Sequence, residues 1–385
     1  MFGSIITGSL WASISPSLLT LAGVLALLPV IGNMRGNISG IFSSRLGTGL
    51  NIGTIHPHIK EWSPDLTKTV LSNIFSSIIT PIWVALIVWV IQLIFFSITT
   101  SFTNFIIIAL IASIFSVTLT VPLTLIISFA IYRRGIDPDV LGYPLISNIA
   151  DIITVLGVLF AFYFNGAIYN SFIRTFEIIF EIFIILILIF SLIIIFSRNK
   201  NRNQYEIFNL LREVIPVLFL VAIISSFVGV LFNANLRYTG IMIIVPVFMS
   251  YTGATASVIG SRYTTAYFLG VLQSSSGRRS VYFTDPSIVF IIGLVLSTIL
   301  GMVAYGISFI FDLTLPPGYT FLSYLLVCWI TGSISTLFSI LSSLIVGNVV
   351  FRRGIDADNV IVPISSTLGD LVALLGILFS LALIS

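Results

Sequence analysis

Two aspartates stand where an ionisable side chain is costly. Asp151 lies within the apolar run 143–164 and Asp370 within the run 359–384. Runs of this length cross a bilayer as helices. A charge at that depth costs about 2.5–3.5 kcal/mol on insertion scales and persists where it faces a cavity or a partner. Of the 14 acidic residues, these two lie deep in a span and recur at matched positions. Ser147 and Ser366 precede them by four residues, which puts hydroxyl and carboxylate on one helix face. Pro144 and Pro363 suit a first helical turn, so each aspartate is expected about two turns into its helix.

If these two helices meet at a shared axis, the carboxylates converge and repel each other unless a cation neutralises them. Hard cations take oxygen ligands, and magnesium keeps most of its water when held by one or two carboxylates. A soft-metal site is disfavoured, because Cys328 is the single cysteine and both histidines fall in a loop. Two other readings stand beside this one: a structural polar contact with a neighbouring helix, and a proton relay. The first leaves unexplained why the acid recurs at the same depth.

Other polar clusters have plainer readings. His56-Pro57-His58, beside Glu61, lacks the further Cys or His that would complete a tetrahedral site, and reads as a solvated loop. Glu177 and Glu181, one turn apart with Arg174 nearby, read as an interfacial salt-bridged face. Asp137, Asp139, Asp356 and Asp358 follow arginine pairs and either cap the next helix or gather cations at a pore mouth. The spans around Pro29 and Pro246 carry Asn33, Arg35, Gly36, Asn37 and Ser250, Thr252, Gly253, Thr255. Such content inside a span predicts either a broken helix lining a cavity or a packing kink.

The elements that must position these residues follow from composition. Of 385 residues, 57% are hydrophobic and 8% charged, against about 25% charged in soluble domains. Apolar runs fall near 17–34, 71–98, 104–132, 143–164, 172–197, 213–233, 239–260, 286–311, 320–351 and 359–384, with 2–12 as part of one more. Their length predicts an all-α integral membrane protein and excludes a barrel of short alternating strands. The first residues, MFGSIITGSLWASIS, lack the basic n-region of a cleavable signal and read as the beginning of the membrane domain. With the N-terminus inside, fourteen of the 17 Lys and Arg fall on the inner side, Arg174 and Arg237 outside, and Arg35 in a span. The positive-inside rule therefore predicts a cytoplasmic N-terminus and an external C-terminus of a cell-membrane protein. One cysteine excludes an intramolecular disulfide, and basic residues scattered at helix ends give no support to nucleic-acid binding.

The chain is also internally repeated. Arg133-Arg134-Gly-Ile-Asp137-Pro-Asp139 recurs as Arg352-Arg353-Gly-Ile-Asp356-Ala-Asp358, at an offset of 219. Over 133–160 against 352–379, 13 of 28 positions are identical. Earlier in each half the offset is 217, matching Pro29 to Pro246, Gly36 to Gly253 and Arg45 to Arg262. Both arginine-pair motifs fall on the inner side, so the repeats are parallel and related by an axis along the membrane normal. Parallel units with an odd number of spans need one crossing between them, which 172–197 supplies. The predicted organisation is a first five-helix repeat at 1–171, a linker helix and inner loop at 172–212, and a second repeat at 213–385. The 217 offset sets Met1 opposite Leu218, so the first helix of the first repeat reads as truncated or as beginning upstream. Two repeats in one chain make a pseudo-dimer that can work as a monomer.

These residues carry a family resemblance. Met34-Arg-Gly-Asn37, through Ser44-Arg45-Leu to Asn51-Ile-Gly53, resembles the glycine-asparagine motif of MgtE-type magnesium channels and, more closely, the fused animal solute-carrier magnesium transporters. Gly354-Ile-Asp-Ala-Asp-Asn359, Pro363 and Ser366-Thr-Leu-Gly-Asp370 resemble the second signature. The likeness covers nearly the whole chain. It implies five-helix units, joined by a linker helix in the fused branch; the cytosolic sensor domains that gate bacterial MgtE have no counterpart in this sequence, so regulation through them is not expected. It also implies that Asp151 and Asp370 contact a hydrated Mg2+ ion on the pore axis, with Ser147 and Ser366 assisting through their carbonyls. Asn37, Asn148 and Thr367 complete the expected metal surroundings. The match is uneven: Gly36-Asn37 becomes Gly253-Ala254, and Asn148-Ile-Ala150 stands where the second repeat has Thr367-Leu-Gly369.

The expected activity is Mg2+ transport, with Mn2+ or Co2+ as further cargo. The rival is an exchanger using the same aspartates for Na+ or protons, since the fused animal relatives are regarded as Na+-coupled. An enzyme is not expected, because no nucleophile, base and orienter gather in or near the spans.

Overall fold

A computed structural model describes residues 2–19, 21–58, 62–97, 100–135, 138–168, 186, 206–235, 238–268, 274–353 and 357–384. The predicted linker span 172–197, with Arg174, Glu177 and Glu181, lies outside the described residues apart from Leu186, as does Asp137. The long helices are α1 (Phe2–Leu18), α2 (Leu27–Ile52), α3 (Pro64–Phe96), α4 (Phe102–Arg133), α5 (Pro138–Ile168), α6 (Glu206–Asn235), α7 (Ile244–Phe268), α8 (Asp285–Ile310), α9 (Phe321–Arg353) and α10 (Ala357–Ile384). Among the described residues there is no strand, and nine helical segments are long and apolar enough to cross a membrane.

The helices form two compact units: residues 16–233, holding α2 to α6, and residues 1–15 with 234–385, holding most of α1 and α7 to α10. Each unit therefore holds the first helix of the other sequence repeat. In the second unit, a Cβ on Gly8 of α1 would collide with the carbonyl of Ile243, and Ile5 packs with Val247 and Leu300. In the first, a Cβ on Gly229 of α6 would collide with the carbonyl of Ala26. Ile243 and Ala26 are 217 positions apart, so the exchange of first helices follows the repeat.

The distribution of polarity orders the layers. In the span Val24–Ile52 the mean hydropathy is 1.2 and 94% of the window is buried, and in Thr239–Ala256 the values are 1.4 and 78%. The span ending α8, Ser275–Ile310, is far more apolar at 2.5 and only 28% buried. The polar helices α2 and α7 are thus interior, and Ile291, Val295, Phe309 and Ile310 of α8 are left on an apolar exterior suited to lipid.

Two expectations about helix breaks are corrected. The run 17–34 is not one span: α1 ends at Leu18, Gly23 adopts φ +84, and a 3-10 turn at Val24–Ala26 leads into α2. Gly23 takes that left-handed conformation without the steric penalty a side chain would bring. The polar segments at Asn33–Asn37 and Ser250–Thr255 lie in unbroken helix, and the breaks fall just before Pro29 and Pro246. Each proline is the third residue of its helix, where a missing N–H removes no intrahelical bond.

A third correction concerns Pro144 and Pro363. Their helices begin at Pro138 and Ala357, so both prolines are interior rather than in the first turn. Pro138 itself takes the first position, where its fixed φ suits a helix start. Asp151 and Asp370 each lie thirteen residues beyond the first residue of their helices, about 20 Å along the axis.

Candidate metal site

In the first unit α5 carries Asp151 against α2. The contact is made at Gly36, where an added Cβ would lie 3.1 Å from Ser147 Oγ and 3.6 Å from Asp151 Oδ1. The tight neighbour is the Ser147 hydroxyl, which a side chain at position 36 would press, whereas the carboxylate lies at ordinary contact distance. Asn37, 2% exposed, donates its amide nitrogen to Asn33 O at 3.1 Å and Asn33 Oδ1 at 2.6 Å. Asn33 in turn donates to Ser225 Oγ of α6 at 2.9 Å. The Asn37 amide nitrogen is thereby turned toward its own helix. Ser147, Asn148 and Asp151 are partly exposed.

The second unit repeats the arrangement with different atoms. Gly253 of α7 backs onto Ser366 of α10, its added Cβ falling 3.4 Å from the serine Cβ. Thr252 Oγ1 lies 2.7 Å from Met249 O and 3.4 Å from Asp370 Oδ1. Ser366 and Thr367 donate their hydroxyls to Pro363 O, at 3.2 Å and 2.7 Å. Asp370 is buried, at 5% exposure. Gly369 lets Thr252 pack flat on α10, since a Cβ there would be 2.8 Å from Thr252 Cβ.

Around both aspartates the donors are hydroxyl, amide and carbonyl oxygens, hard ligands of the kind a divalent cation such as Mg2+ accepts. Among the described residues no three of His, Cys, Asp and Glu gather. The His-Pro-His loop is held to the end of α4: Arg133 Nε donates to Pro57 O at 2.9 Å, and Nη2 reaches Pro57 O and, at 3.1 Å, His58 Nδ1.

One constellation was not read from the sequence. Arg35, 1% exposed, donates from Nε to Ser116 Oγ at 3.2 Å, from Nη1 to Ser77 Oγ at 2.5 Å and from Nη2 to Thr120 Oγ1 at 2.8 Å. The signal was available in α4, where Ser116, Thr120, Thr124 and Ser128 recur every four residues and so line one face. All four are buried. Ser335, Ser339 and Ser343 of α9 repeat the first three at the 219 offset, buried as well.

Two sets of interior polar helices, each laid against a mid-helix carboxylate and wrapped by apolar spans, define an internally repeated multi-span membrane protein. A family model described as MgtE, divalent cation transporter, matches residues 28–162 and again 245–381. The chain belongs to that family. The two matches begin 217 residues apart and end 219 apart, the same offsets that relate the repeats. No curated protein and no solved structure compared with the chain matches it.

Proposed function

We propose that this chain carries Mg2+ across the cell membrane along a path at the pseudo-two-fold axis between its repeats, with the Asp151 and Asp370 carboxylates holding the hydrated ion. The supporting observation is the repeated pairing of a mid-helix carboxylate with a glycine-bearing interior helix, Asp151 with Gly36 and Asp370 with Thr252-Gly253. Two negative charges match one divalent ion, and their oxygen-only surroundings suit an ion that keeps its water. Ser147, Ser366, Asn37, Asn148 and Thr367 then contact that water. The repeats at 1–171 and 213–385 form a pseudo-dimer within one chain, joined by a linker helix at 172–197. The N-terminus is cytoplasmic and the C-terminus external, an orientation supported by the bias of Lys and Arg toward one side. The chain transports and does no covalent chemistry.

Purified protein in liposomes tests this reading. A Mg2+ gradient alone should drive Mg2+ entry with Na+ and pH equal on both sides. Flux that appears only with an opposing Na+ or proton gradient would replace the path with a coupled exchanger on the same aspartates.

A further inference from the structure

Arg35 places a full positive charge in the interior of the first unit. Its guanidinium stays protonated in proteins, and its partners among the described residues are three hydroxyls, with no carboxylate paired to it. Each guanidinium nitrogen donates one hydrogen bond, but the charge is not neutralised. An unpaired buried charge in a membrane protein is costly and marks function.

The charge is wired to the aspartate helix. Ser116 Oγ, which accepts from Arg35 Nε, lies 3.0 Å from Thr154 Oγ1, and Thr154 donates to Ala150 O at 2.6 Å. Ala150 immediately precedes Asp151. On α2, Arg35 immediately precedes Gly36, where an added Cβ would lie 3.6 Å from Asp151 Oδ1. The guanidinium itself points toward α3 and α4, and the hydrogen-bond chain through Ser116 and Thr154 links it to the turn of α5 that carries Asp151.

The second repeat shows that the fold does not require it. Thr252 occupies the matching position and reaches Asp370 instead. Ser335 and Ser339, which match Ser116 and Thr120, keep their buried hydroxyls with no hydrogen-bond partner. Two of the three cage hydroxyls recur in the second half, where the matching position on α7 is a threonine and not a cation.

We propose that Arg35 is a specificity-determining residue of the ion site: a fixed counter-charge that weakens the hold of Asp151 on the divalent cation and so sets the working affinity. The proposal rests on the aspartate site described under the proposed function. The two carboxylates are therefore unequal, Asp151 holding the cation more loosely than Asp370.

The test is the Mg2+ concentration dependence of flux through the full chain in liposomes. Arg35→Gln keeps hydrogen bonding without charge and should lower the half-saturating Mg2+ concentration about tenfold, with a lower maximal flux as release slows. Arg35→Lys restores the charge and should return the half-saturating concentration toward wild type. A merely structural arginine would reduce folded protein and maximal flux in both variants and leave half-saturation unmoved, which overturns the proposal. Thr252→Lys against Thr252→Met covers the case in which Arg35→Gln does not fold. The lysine should raise half-saturation about tenfold above the methionine, and equal values would overturn the proposal. Asp151→Asn/Asp370→Asn is measured alongside. Loss of flux there with no shift in Arg35→Gln defeats this inference alone, whereas full flux there defeats the aspartate site itself.

Discussion

Thr252 Oγ1 stands 3.4 Å from Asp370 Oδ1, tying α7 to α10 beside the second-repeat carboxylate. The first repeat has Arg35 at the matching position, directed away toward α3 and α4. One sequence position therefore meets the aspartate in one half and a hydroxyl cage in the other. Thr252→Val removes the hydroxyl while keeping the shape. We expect a several-fold rise in half-saturating Mg2+, in keeping with a hydrogen bond to a charged group worth about 1 kcal/mol or more. Thr252→Ser should stay near wild type. Dose–response flux in liposomes checks both.

Gly36 faces Ser147 and Asp151 of α5, and the serine hydroxyl is the nearer of the two. A Cβ at 3.1 Å from Ser147 Oγ needs a shift of a few tenths of an ångström, so Gly36→Ala should fold and transport at a reduced rate. Gly36→Val adds two methyl groups against the carboxylate and should abolish flux while leaving a monodisperse protein by size-exclusion chromatography.

The exchanged first helices depend on glycine at two points of contact. Gly8→Val meets the Ile243 carbonyl and Gly229→Val meets the Ala26 carbonyl, backbone atoms that cannot turn aside. Overpacking of this kind costs about 1–3 kcal/mol. Each variant should show a lower thermal midpoint in detergent, and the two losses should add because they lie in separate units.

The start of α3 offers a control away from the site. Ser63 Oγ accepts from Leu66 N at 3.2 Å, Pro64 occupies the first helical position and Asp65 lies in the first turn. Ser63→Ala should cost about 1 kcal/mol of stability. Thermal melting should register that loss while the half-saturating Mg2+ concentration stays put.

The legible part of this protein was its duplication. Asp151 and Asp370, Gly36 and Gly253, Ser147 and Ser366 are matched in the sequence, and the structure puts each set against its own α2 or α7. Hydropathy located the spans because apolar length is a local property. It mislocated the break at 17–34, since Leu18, Leu19 and Val24 are apolar on both sides of a bend set by the backbone at Gly23. The helix starts at Pro138 and Ala357 were missed because polar residues at a helix end look like loop. Arg35 was recognised only as a charge in a span. Its partners Ser77, Ser116 and Thr120 lie 42, 81 and 85 residues away, and sequence reveals such contacts only as an unexplained i, i+4 ladder of hydroxyls.

Transport in this protein rests on the Asp151 and Asp370 carboxylates holding the ion. Its most direct measurement is Mg2+ uptake into liposomes by the Asp151→Asn/Asp370→Asn double variant, an isosteric exchange that removes both charges. The double variant should fold correctly and take up Mg2+ only at the level of empty liposomes, with each single variant in between. Uptake equal to wild type in the folded double variant would contradict that role of the aspartates.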